Sequence, residues 1–293
     1  MMHTPFHKPA TNGRTRVIAL HCSGAAGSQW AHFAAATGDN YEVLTPEHYG
    51  SDGSGPWTGE HAFTIADEAA RTLDLIDNSN GRVHLIGHSY GGGVALHAAF
   101  ARPHRIASMA LYEPSAFHLL RQLGELGRRG FAEITDVAQR FSESVITGDY
   151  RGAVARFVDY WNGTGAWDAM RAGSKKSLIR WAPKGPLDFR ALIEDETPVS
   201  TYERLRFPVL IIRGQYAPLP TRVIAEALGD LLPFSQTVEV EGAGHMGPLT
   251  HPTAVSALLM QHIAAADAAD IRPHRIASNR YAVFSAKASW CPS

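Results

Sequence analysis

Short apolar runs recur along the chain and alternate with longer amphipathic stretches. The runs are rich in apolar and β-branched residues and are bounded by polar or glycine-rich segments, which is typical of buried strands. Because helical patterns separate most of the runs, the strands should be joined by crossovers and pair in parallel. The pattern therefore predicts an α/β fold, a mostly parallel doubly wound sheet flanked by helices. The predicted strands are residues 17–22, the start of 42–57, 82–87, 105–114, 207–214 and 235–245.

One predicted helix is marked clearly at its start and along one face, over residues 64–77. Thr64 and Asp67 form an N-terminal capping signature, in which two side chains satisfy backbone N–H groups that the first turn leaves unpaired. Apolar residues then recur every three or four positions, at Ile65, Ala69, Leu73 and Ile76. A second helical pattern follows Gly87 and should end before Pro103, because the residue before a proline is disfavoured in helical conformation.

The middle of the chain changes character. Residues 116–200 contain helical patterns without an intervening strand, and the spacing of Val154, Phe157, Val158 and Trp161 is an example. The simplest interpretation is a helical cap, or lid, inserted after the strand that ends near Glu113. The α/β core would then comprise residues 14–115 and 201–266. The alternation of apolar runs and helical patterns ends after residue 266. We interpret residues 267–293 as a C-terminal appendage without an assigned role.

The composition argues against several classes of partner. Lys and Arg total 27 and Asp and Glu total 28, so the formal net charge is −1. The chain therefore lacks the basic excess of a nucleic-acid-binding protein and any general attraction to anionic membranes. With 45% hydrophobic and 19% charged residues, it has the composition of an ordinary globular protein. We expect a small-molecule substrate, no nucleic-acid or membrane partner, and a monomer or homodimer.

Targeting signals and cofactor motifs are not apparent in the sequence. The N-terminal segment 1–16 has no apolar core of a secretory signal, and no stretch approaches the roughly 18 apolar residues of a membrane span. Cys22 and Cys291 are too few for a disulfide framework. No HExxH occurs. We expect a cytoplasmic protein without a metal or an organic cofactor.

The segment Gly87-His88-Ser89-Tyr90-Gly91 is a G-x-S-x-G motif. An apolar run enters it and a helical pattern leaves it, which is the context of a nucleophile elbow, where a strained turn exposes the serine hydroxyl. Gly87 and Gly91 suit that turn, because strand and helix pass close together there. Ser89 is therefore the candidate nucleophile. The alternative is a glycine-rich turn with a bystander serine.

A serine hydroxyl needs a base to take its proton. His245 follows the last predicted strand of the core, in the glycine-rich segment 242–247, and is the candidate base. A carboxylate should orient the imidazole. The loop at 215–220 contains none, whereas Glu113 ends an earlier strand at the same edge of the sheet as Ser89. The chain order serine, glutamate, histidine then matches the order of a known nucleophile-elbow triad.

An acyl-transfer intermediate also needs N–H donors for its oxyanion. One should be the backbone N–H of Tyr90, the residue after the nucleophile. By position, the second should come from Ser23, in the loop after the first strand, with Cys22 as the alternative. We expect His21 to hold this loop.

On these motifs, the chain resembles the α/β-hydrolase fold family. The matching segments run in the family's order over residues 17–265 and are LHCSGAAGSQW, PEHYGSDGSG, LIGHSYGGGVAL, LYEP, FPVLIIRG and GAGHMGPLTHP. Two departures matter. Family members usually carry His-Gly in the first loop, where this chain has Cys22. Their usual acid follows the strand FPVLIIRG, where this chain has Ala217, although some members place the acid where Glu113 lies.

Within this family, haloalkane dehalogenases and epoxide hydrolases use an aspartate as the nucleophile, so Ser89 argues against both. The resemblance therefore implies acyl transfer to serine or serine-assisted cleavage of an activated C–C bond. We expect a carboxylic-ester hydrolase of small to medium, apolar or aromatic substrates, with Phe117, Trp161 and Trp167 of the cap as substrate contacts. These aromatic residues could instead form the cap's own core. The other hypotheses are a C–C bond hydrolase of the meta-cleavage-product type, whose first loop has similar spacing, and a serine peptidase or amidase. A fold relative that only binds a ligand is the fourth.

Overall fold

The computed structural model describes residues 14–51 and 53–270 and the backbone of 282–284. These residues form a seven-stranded sheet in which every neighbouring pair of strands is parallel. The order across the sheet is β2-β1-β3-β4-β5-β6-β7, so the predicted doubly wound α/β fold is confirmed. The strands are β1 Thr15–Leu20, β2 Tyr41–Leu44, β3 Val83–His88, β4 Ile106–Tyr112, β5 Val209–Gly214, β6 Ser235–Val240 and β7 Ala282–Phe284.

Helices connect these strands and cover both faces of the sheet. They are α1 Ala31–Thr37, α2 Ile65–Asp77, α3 Tyr90–Ala101, α4 Gly124–Ile146, α5 Tyr150–Asn162, α6 Ala166–Ala169, α7 Ala172–Trp181, α8 Gly185–Ile193, α9 Val199–Tyr202, α10 Leu219–Leu231, α11 Gly247–Thr250 and α12 Pro252–Asp270. No helix in the described part of the chain is long and apolar enough to cross a membrane.

Alternate residues of the strands enter two hydrophobic cores. In β1, Val17 and Ala19 face the core shared with α1 and α12, whereas Ile18 and Leu20 face the core shared with α2, α3 and α10. All four side chains are fully buried. This explains why the strands appear in the sequence as continuous apolar runs, since a parallel sheet is covered on both faces.

The predicted capping signature of α2 is present. The backbone N–H of Thr64 donates to Asp67 Oδ2 at 2.8 Å, and the backbone N–H of Asp67 donates to the hydroxyl of Thr64 at 3.4 Å. These reciprocal bonds satisfy N–H groups that the first helical turn leaves unpaired.

The chain between β4 and β5 is helical, and we call residues 116–200 the helical insertion. It contains α4 to α8 and the first half of α9. An aromatic cluster packs inside it, formed by Phe141, Phe157, Trp181 and Phe189. Two parts of the predicted C-terminal appendage belong to elements of the fold, because α12 extends to residue 270 and β7 pairs with β6. The rest of the appendage, with Cys291, lies outside the described residues.

Candidate active site

Ser89 occupies the sharp turn between β3 and α3. Its backbone has φ 53° and ψ −116°, a region that non-glycine residues adopt only when the surroundings enforce it, at a cost of about 1–3 kcal/mol. Its N–H donates to the carbonyl of Tyr112 at 3.0 Å. A Cβ atom at Gly87 would lie 2.5 Å from the Gly91 carbonyl oxygen, and one at Gly91 would lie 2.5 Å from the carbonyl oxygen of Leu20. Both glycines are therefore required by the close passage of strand and helix.

Three side chains form a hydrogen-bonded line at the carboxyl ends of the strands. Ser89 Oγ lies 3.0 Å from His245 Nε2, and His245 Nδ1 lies 2.7 Å from Glu113 Oε2. Ser89 is 7% exposed, His245 is 3% exposed and Glu113 is fully buried. The structure thus brings together the three residues that the sequence nominates from distant positions. In this arrangement His245 Nε2 can accept the serine proton while the Nδ1–H group donates to the carboxylate.

Glu113 directly follows β4 and has a positive φ of 42°. Its Oε1 accepts a hydrogen bond from the N–H of Gly214 at 2.9 Å, and its Oε2 accepts another from the hydroxyl of Thr221 at 2.9 Å. Together with the bond to His245, these donors fix the carboxylate at the edge of the sheet. Ala217, the position from which relatives usually supply the acid, contributes only backbone to the turn after β5.

Two further side chains contact His245, one at its backbone carbonyl and one at its ring. His88 Nε2 lies 2.8 Å from the carbonyl oxygen of His245, and burial keeps the pKa of His88 well below its ordinary value. His88 is therefore neutral and can donate this bond from Nε2. The indole of Trp161 stacks on the His245 ring, with centroids 4.0 Å apart and planes 25° apart. The sequence motif gave no indication of either contact.

The loop after β1 lies against the nucleophile. The N–H of Cys22 donates to Gln29 Oε1 at 3.2 Å, which leaves Ser23 better placed than Cys22 to offer an N–H to a substrate. His21 Nε2 accepts a hydrogen bond from the backbone N–H of His48 at 3.2 Å. This bond ties the loop after β1 to the segment that follows β2. Burial raises the pKa of the Cys22 thiol to about 12, so this thiol is neutral near pH 7 and does not compete with Ser89 as a nucleophile.

A buried ion cluster of Glu68, Lys184 and Asp188 joins the helical insertion to the turn around the nucleophile. Lys184 Nζ lies 2.9 Å from Glu68 Oε2 and also contacts Asp188. The hydroxyl of Tyr90 donates to Glu68 Oε2 at 2.8 Å, and that of Ser23 donates to Asp188 Oδ2 at 2.7 Å. The two residues nominated as oxyanion donors are thus anchored, through their side chains, to the same cluster.

Neighbouring charges outweigh the effect of burial on the pKa values of Glu68 and Lys184. Burial by itself would raise the pKa of Glu68, but the hydrogen bond and charge of His48 and the charge of Lys184 hold it well below its ordinary value. Burial would likewise lower the pKa of Lys184, but Asp188 and Glu68 hold it above its ordinary value. Glu68 and Lys184 are therefore both ionised at neutral pH. Sequence analysis missed the cluster, since Lys184 and Asp188 show only the i, i+4 spacing that a solvated helix face also has.

Two cavities meet at Ser89. The outer cavity, of about 580 Å³, is lined by both Ser89 and His245 and by the aromatic side chain of Trp161. The inner cavity, of about 20 Å³, is lined by Ser89, Trp161 and Phe117. Trp167 is among the lining residues of neither cavity. It is buried in the helical insertion beside the cationic groups of Arg151 and Lys175, so the structure does not bring this predicted substrate contact to the site.

The described part of the chain contains no candidate metal site. Within residues 14–51 and 53–270, no group of three or more His, Cys, Asp or Glu side chains is arranged to hold a metal ion.

A parallel sheet that presents a serine after one strand and a histidine after a later one is the architecture of α/β hydrolases. The model of the alpha/beta hydrolase family matches residues 17–258. The chain belongs to this family of hydrolases.

Several curated proteins are similar to the chain. Lipase LipV of Mycobacterium tuberculosis is 32% identical over 115 residues, which are 39% of this chain and 42% of that protein, so the match spans less than half of the lipase. The pimeloyl-[acyl-carrier protein] methyl ester esterase of Aeromonas hydrophila is 25% identical over 80% of this chain and 90% of its own length. The 2-hydroxy-6-oxononadienedioate/2-hydroxy-6-oxononatrienedioate hydrolase of Paraburkholderia xenovorans is 32% identical over 36% and 38%, respectively.

Solved structures are similar in fold. The enol-lactonase from Burkholderia xenovorans superimposes with a TM-score of 0.67 and 16% identity, over 86% of this chain and 92% of that one. At this identity the likeness concerns the fold alone.

Proposed function

We propose that the chain is a serine hydrolase that cleaves carboxylic esters through an acyl-enzyme on Ser89. The observation that carries this proposal is the line of hydrogen bonds from Ser89 through His245 to Glu113, with distances of 3.0 and 2.7 Å. A serine hydroxyl is a weak nucleophile unless a positioned base accepts its proton. The same geometry argues against a fold relative that only binds its ligand.

In the acylation step, His245 Nε2 accepts the proton of Ser89 as the serine oxygen attacks the ester carbonyl. The carbonyl π electrons move to oxygen, and the resulting oxyanion accepts hydrogen bonds from the N–H groups of Tyr90 and Ser23. When the tetrahedral intermediate collapses, the bond to the alcohol oxygen breaks and His245 returns the proton to the leaving alcohol. Glu113 orients the imidazole and stabilises its protonated form.

In the deacylation step, water replaces the alcohol. His245 accepts a proton from the water molecule as its oxygen attacks the acyl carbonyl, and the same N–H groups bind the second oxyanion. Collapse releases the carboxylic acid and returns the proton to Ser89. The proton of Ser89 thus leaves with the alcohol and is replaced by a proton from water, His245 Nε2 carries both, and the enzyme is regenerated.

The proposed substrates are small to medium esters with an apolar or aromatic part. The helical insertion would act as the cap of the site, and its Trp161 and Phe157 line the outer cavity. The names of two similar proteins, a lipase and a methyl ester esterase, are consistent with ester cleavage.

The test is the pre-steady-state release of p-nitrophenol from p-nitrophenyl acetate. If acylation is faster than deacylation, we expect a burst equal to the enzyme concentration and an acetyl group on Ser89 after acid quench and peptide mass spectrometry. If acylation is slower, we expect neither a burst nor much acetylated Ser89, and hydrolysis that depends on Ser89 is then the test. Ser89→Ala should give neither the burst nor the acetylated peptide. Hydrolysis that persists in Ser89→Ala would contradict the proposal.

The second candidate function is cleavage of an activated C–C bond. It is favoured by the similarity to the Paraburkholderia xenovorans hydrolase, whose name denotes a dienedioate substrate. The same serine and histidine could serve that reaction. A coloured 2-hydroxy-6-oxo-dienoate distinguishes the two functions, because C–C cleavage bleaches it. If kcat/KM for this dienoate exceeds that for every ester offered, the second candidate replaces the first.

A further inference from the structure

We propose that the enzyme is selective for esters that join a very short acyl group, of acetyl size, to a bulky uncharged alcohol. This inference rests on the proposed function and adds the division of the substrate between the two cavities. The inner cavity would receive the acyl group and the outer cavity the alcohol.

The two cavities share the nucleophile but not the base. Ser89 lines both, whereas His245 lines only the outer one. The inner cavity instead includes Tyr90 and Ser115, and the hydroxyl of Ser115 lies 3.2 Å from that of Ser89. The attacked carbonyl carbon therefore has two open spaces beside it, one that His245 lines and one that it does not.

The chemistry decides which half of the ester occupies each space. The alcohol oxygen must receive its proton from His245 Nε2 as the intermediate collapses, so the alcohol has to lie on the side of the imidazole. The acyl chain bonded to the same carbon then extends away from His245. The inner cavity, which His245 does not line, is the space that this chain can occupy.

The inner cavity is small enough to limit the acyl chain. Its volume of about 20 Å³ is a small fraction of the 580 Å³ of the outer cavity, so it leaves room for a short acyl group only. Its walls include buried residues of both the core and the helical insertion, such as Ser115 and Leu192. A longer chain would have to displace packed atoms, which costs free energy in a close-packed interior.

The outer cavity has the opposite character. At about 580 Å³ it falls within the range of sites that bind drug-sized molecules. Trp161 and Trp181 form part of an aromatic wall, and several serine hydroxyls line it elsewhere. Among the described residues that line it, no Asp, Glu, Lys or Arg occurs. A large neutral alcohol with a ring is the occupant that this lining suits, because a charged one would be desolvated without a partner.

The first experiment varies each half of the ester separately. With p-nitrophenol as the constant leaving group, kcat/KM should fall roughly 10-fold or more from acetate to butyrate and further to octanoate. With acetate as the constant acyl group, 2-naphthyl acetate should be cleaved at least as efficiently as phenyl acetate, because the outer cavity accommodates the larger ring system. The two phenols are of similar acidity, so the comparison reports the size of the alcohol and not its quality as a leaving group. The opposite pattern, with octanoate preferred and the naphthyl ester rejected, would overturn the inference.

A matched pair of variants locates the selectivity. Leu192 lines only the inner cavity and Leu178 only the outer one, and both are buried side chains of the helical insertion. Leu192→Ala should raise the ratio of kcat/KM for butyrate over acetate roughly 10-fold. Leu178→Ala should leave this ratio as it is in the parent enzyme. Equal ratios in all three proteins would overturn the inference, and circular dichroism shows that each variant is folded.

The outcomes separate this inference from the proposed function. If esters acetylate Ser89 but long acyl chains are preferred, the enzyme is a serine esterase whose acyl group lies elsewhere, and only the inference fails. If no ester acylates Ser89 in folded protein, the proposed function fails and the inference fails with it.

Discussion

Glu113 is the residue on which the site departs from the common arrangement of its family. It takes a positive φ of 42° directly after β4, and its carboxylate bridges to the N–H of Gly214 at the end of β5. The carboxylate thus reaches the neighbouring strand end, beside the position where relatives carry their acid. This explains how Ala217 can stand at the usual acid position while His245 still has a carboxylate partner.

We expect Glu113→Gln to lower kcat for p-nitrophenyl acetate by roughly 10⁴-fold. The glutamine can keep the fold but no longer stabilises the protonated imidazole or selects its tautomer. Steady-state kinetics, with circular dichroism as the check on folding, measures the effect.

Glu241→Gln is the matched control, because Glu241 also lies near His245 in sequence but is exposed after β6. Its kcat should stay within about 2-fold of the parent value. Near-normal turnover in folded Glu113→Gln would mean that another group, or none, orients His245.

Much of this site could be predicted from the sequence because its parts sit at strand ends. Ser89, Glu113 and His245 each follow a recognisable apolar run, and the carboxyl ends of parallel strands share one edge of the sheet. Trp167 was nominated only as an aromatic residue of the insertion, and composition cannot tell a cavity wall from a helical core. The stacking of Trp161 on His245 depends on how the insertion docks, which periodicity does not encode.

At the scale of elements, the turn from β3 to α3 depends on the absence of side chains. A Cβ at Gly91 would lie 2.5 Å from the carbonyl oxygens of Leu20 and His21 in the neighbouring strand and loop. These are backbone atoms in the middle of the sheet, so they cannot move aside without breaking its pairing. The first turn of α3, which directly follows Ser89, is therefore packed against β1.

Gly91→Ala should destabilise the fold by at least about 1–3 kcal/mol and should lower activity beyond that loss, because α3 would be displaced from Ser89. Urea denaturation and ester hydrolysis measure the two effects. Gly81→Ala is the control, since Gly81 precedes β3 and a Cβ there would have nothing within 4 Å. If the Gly91 variant behaves like the Gly81 variant, the close approach of α3 to β1 is not a structural requirement.

At the scale of the whole molecule, the buried ion cluster of Glu68, Lys184 and Asp188 links α2 of the core to α8 and the turn before it. Breaking a buried ion pair by removing one partner leaves an uncompensated charge. The link could not be predicted from sequence, because Glu68 and Lys184 are far apart in the chain and each is typical of a solvated helix. Their pairing follows only from the docking of the insertion onto the sheet.

Lys184→Met should lower the free energy of unfolding by about 3–5 kcal/mol, because it leaves two buried carboxylates without their cation. The matched control is Lys176→Met, an exposed lysine of α7, which should change it by less than about 0.5 kcal/mol. Urea denaturation at neutral pH measures both. Equal stability of the two variants would show that the cluster does not hold the insertion in place.

The cluster also predicts how stability depends on pH. The pKa of Glu68 is lower in the folded chain than the ordinary value of 4.5, so its contribution is complete above that value and is lost as the pH falls through the folded pKa. The free energy of unfolding should therefore decrease from about pH 5 to about pH 3, and less steeply in Glu68→Gln. An unchanged slope in this variant would contradict the role given to Glu68.

The central claim is that His245 activates the hydroxyl of Ser89, and the most direct measurement is the rate at which a fluorophosphonate modifies that residue. Mass spectrometry of the peptide containing Ser89 should show stoichiometric modification of the parent protein and modification at least about 100-fold slower in folded His245→Gln. An unmodified Ser89 in the folded parent protein, or equal rates in the two proteins, would contradict the claim.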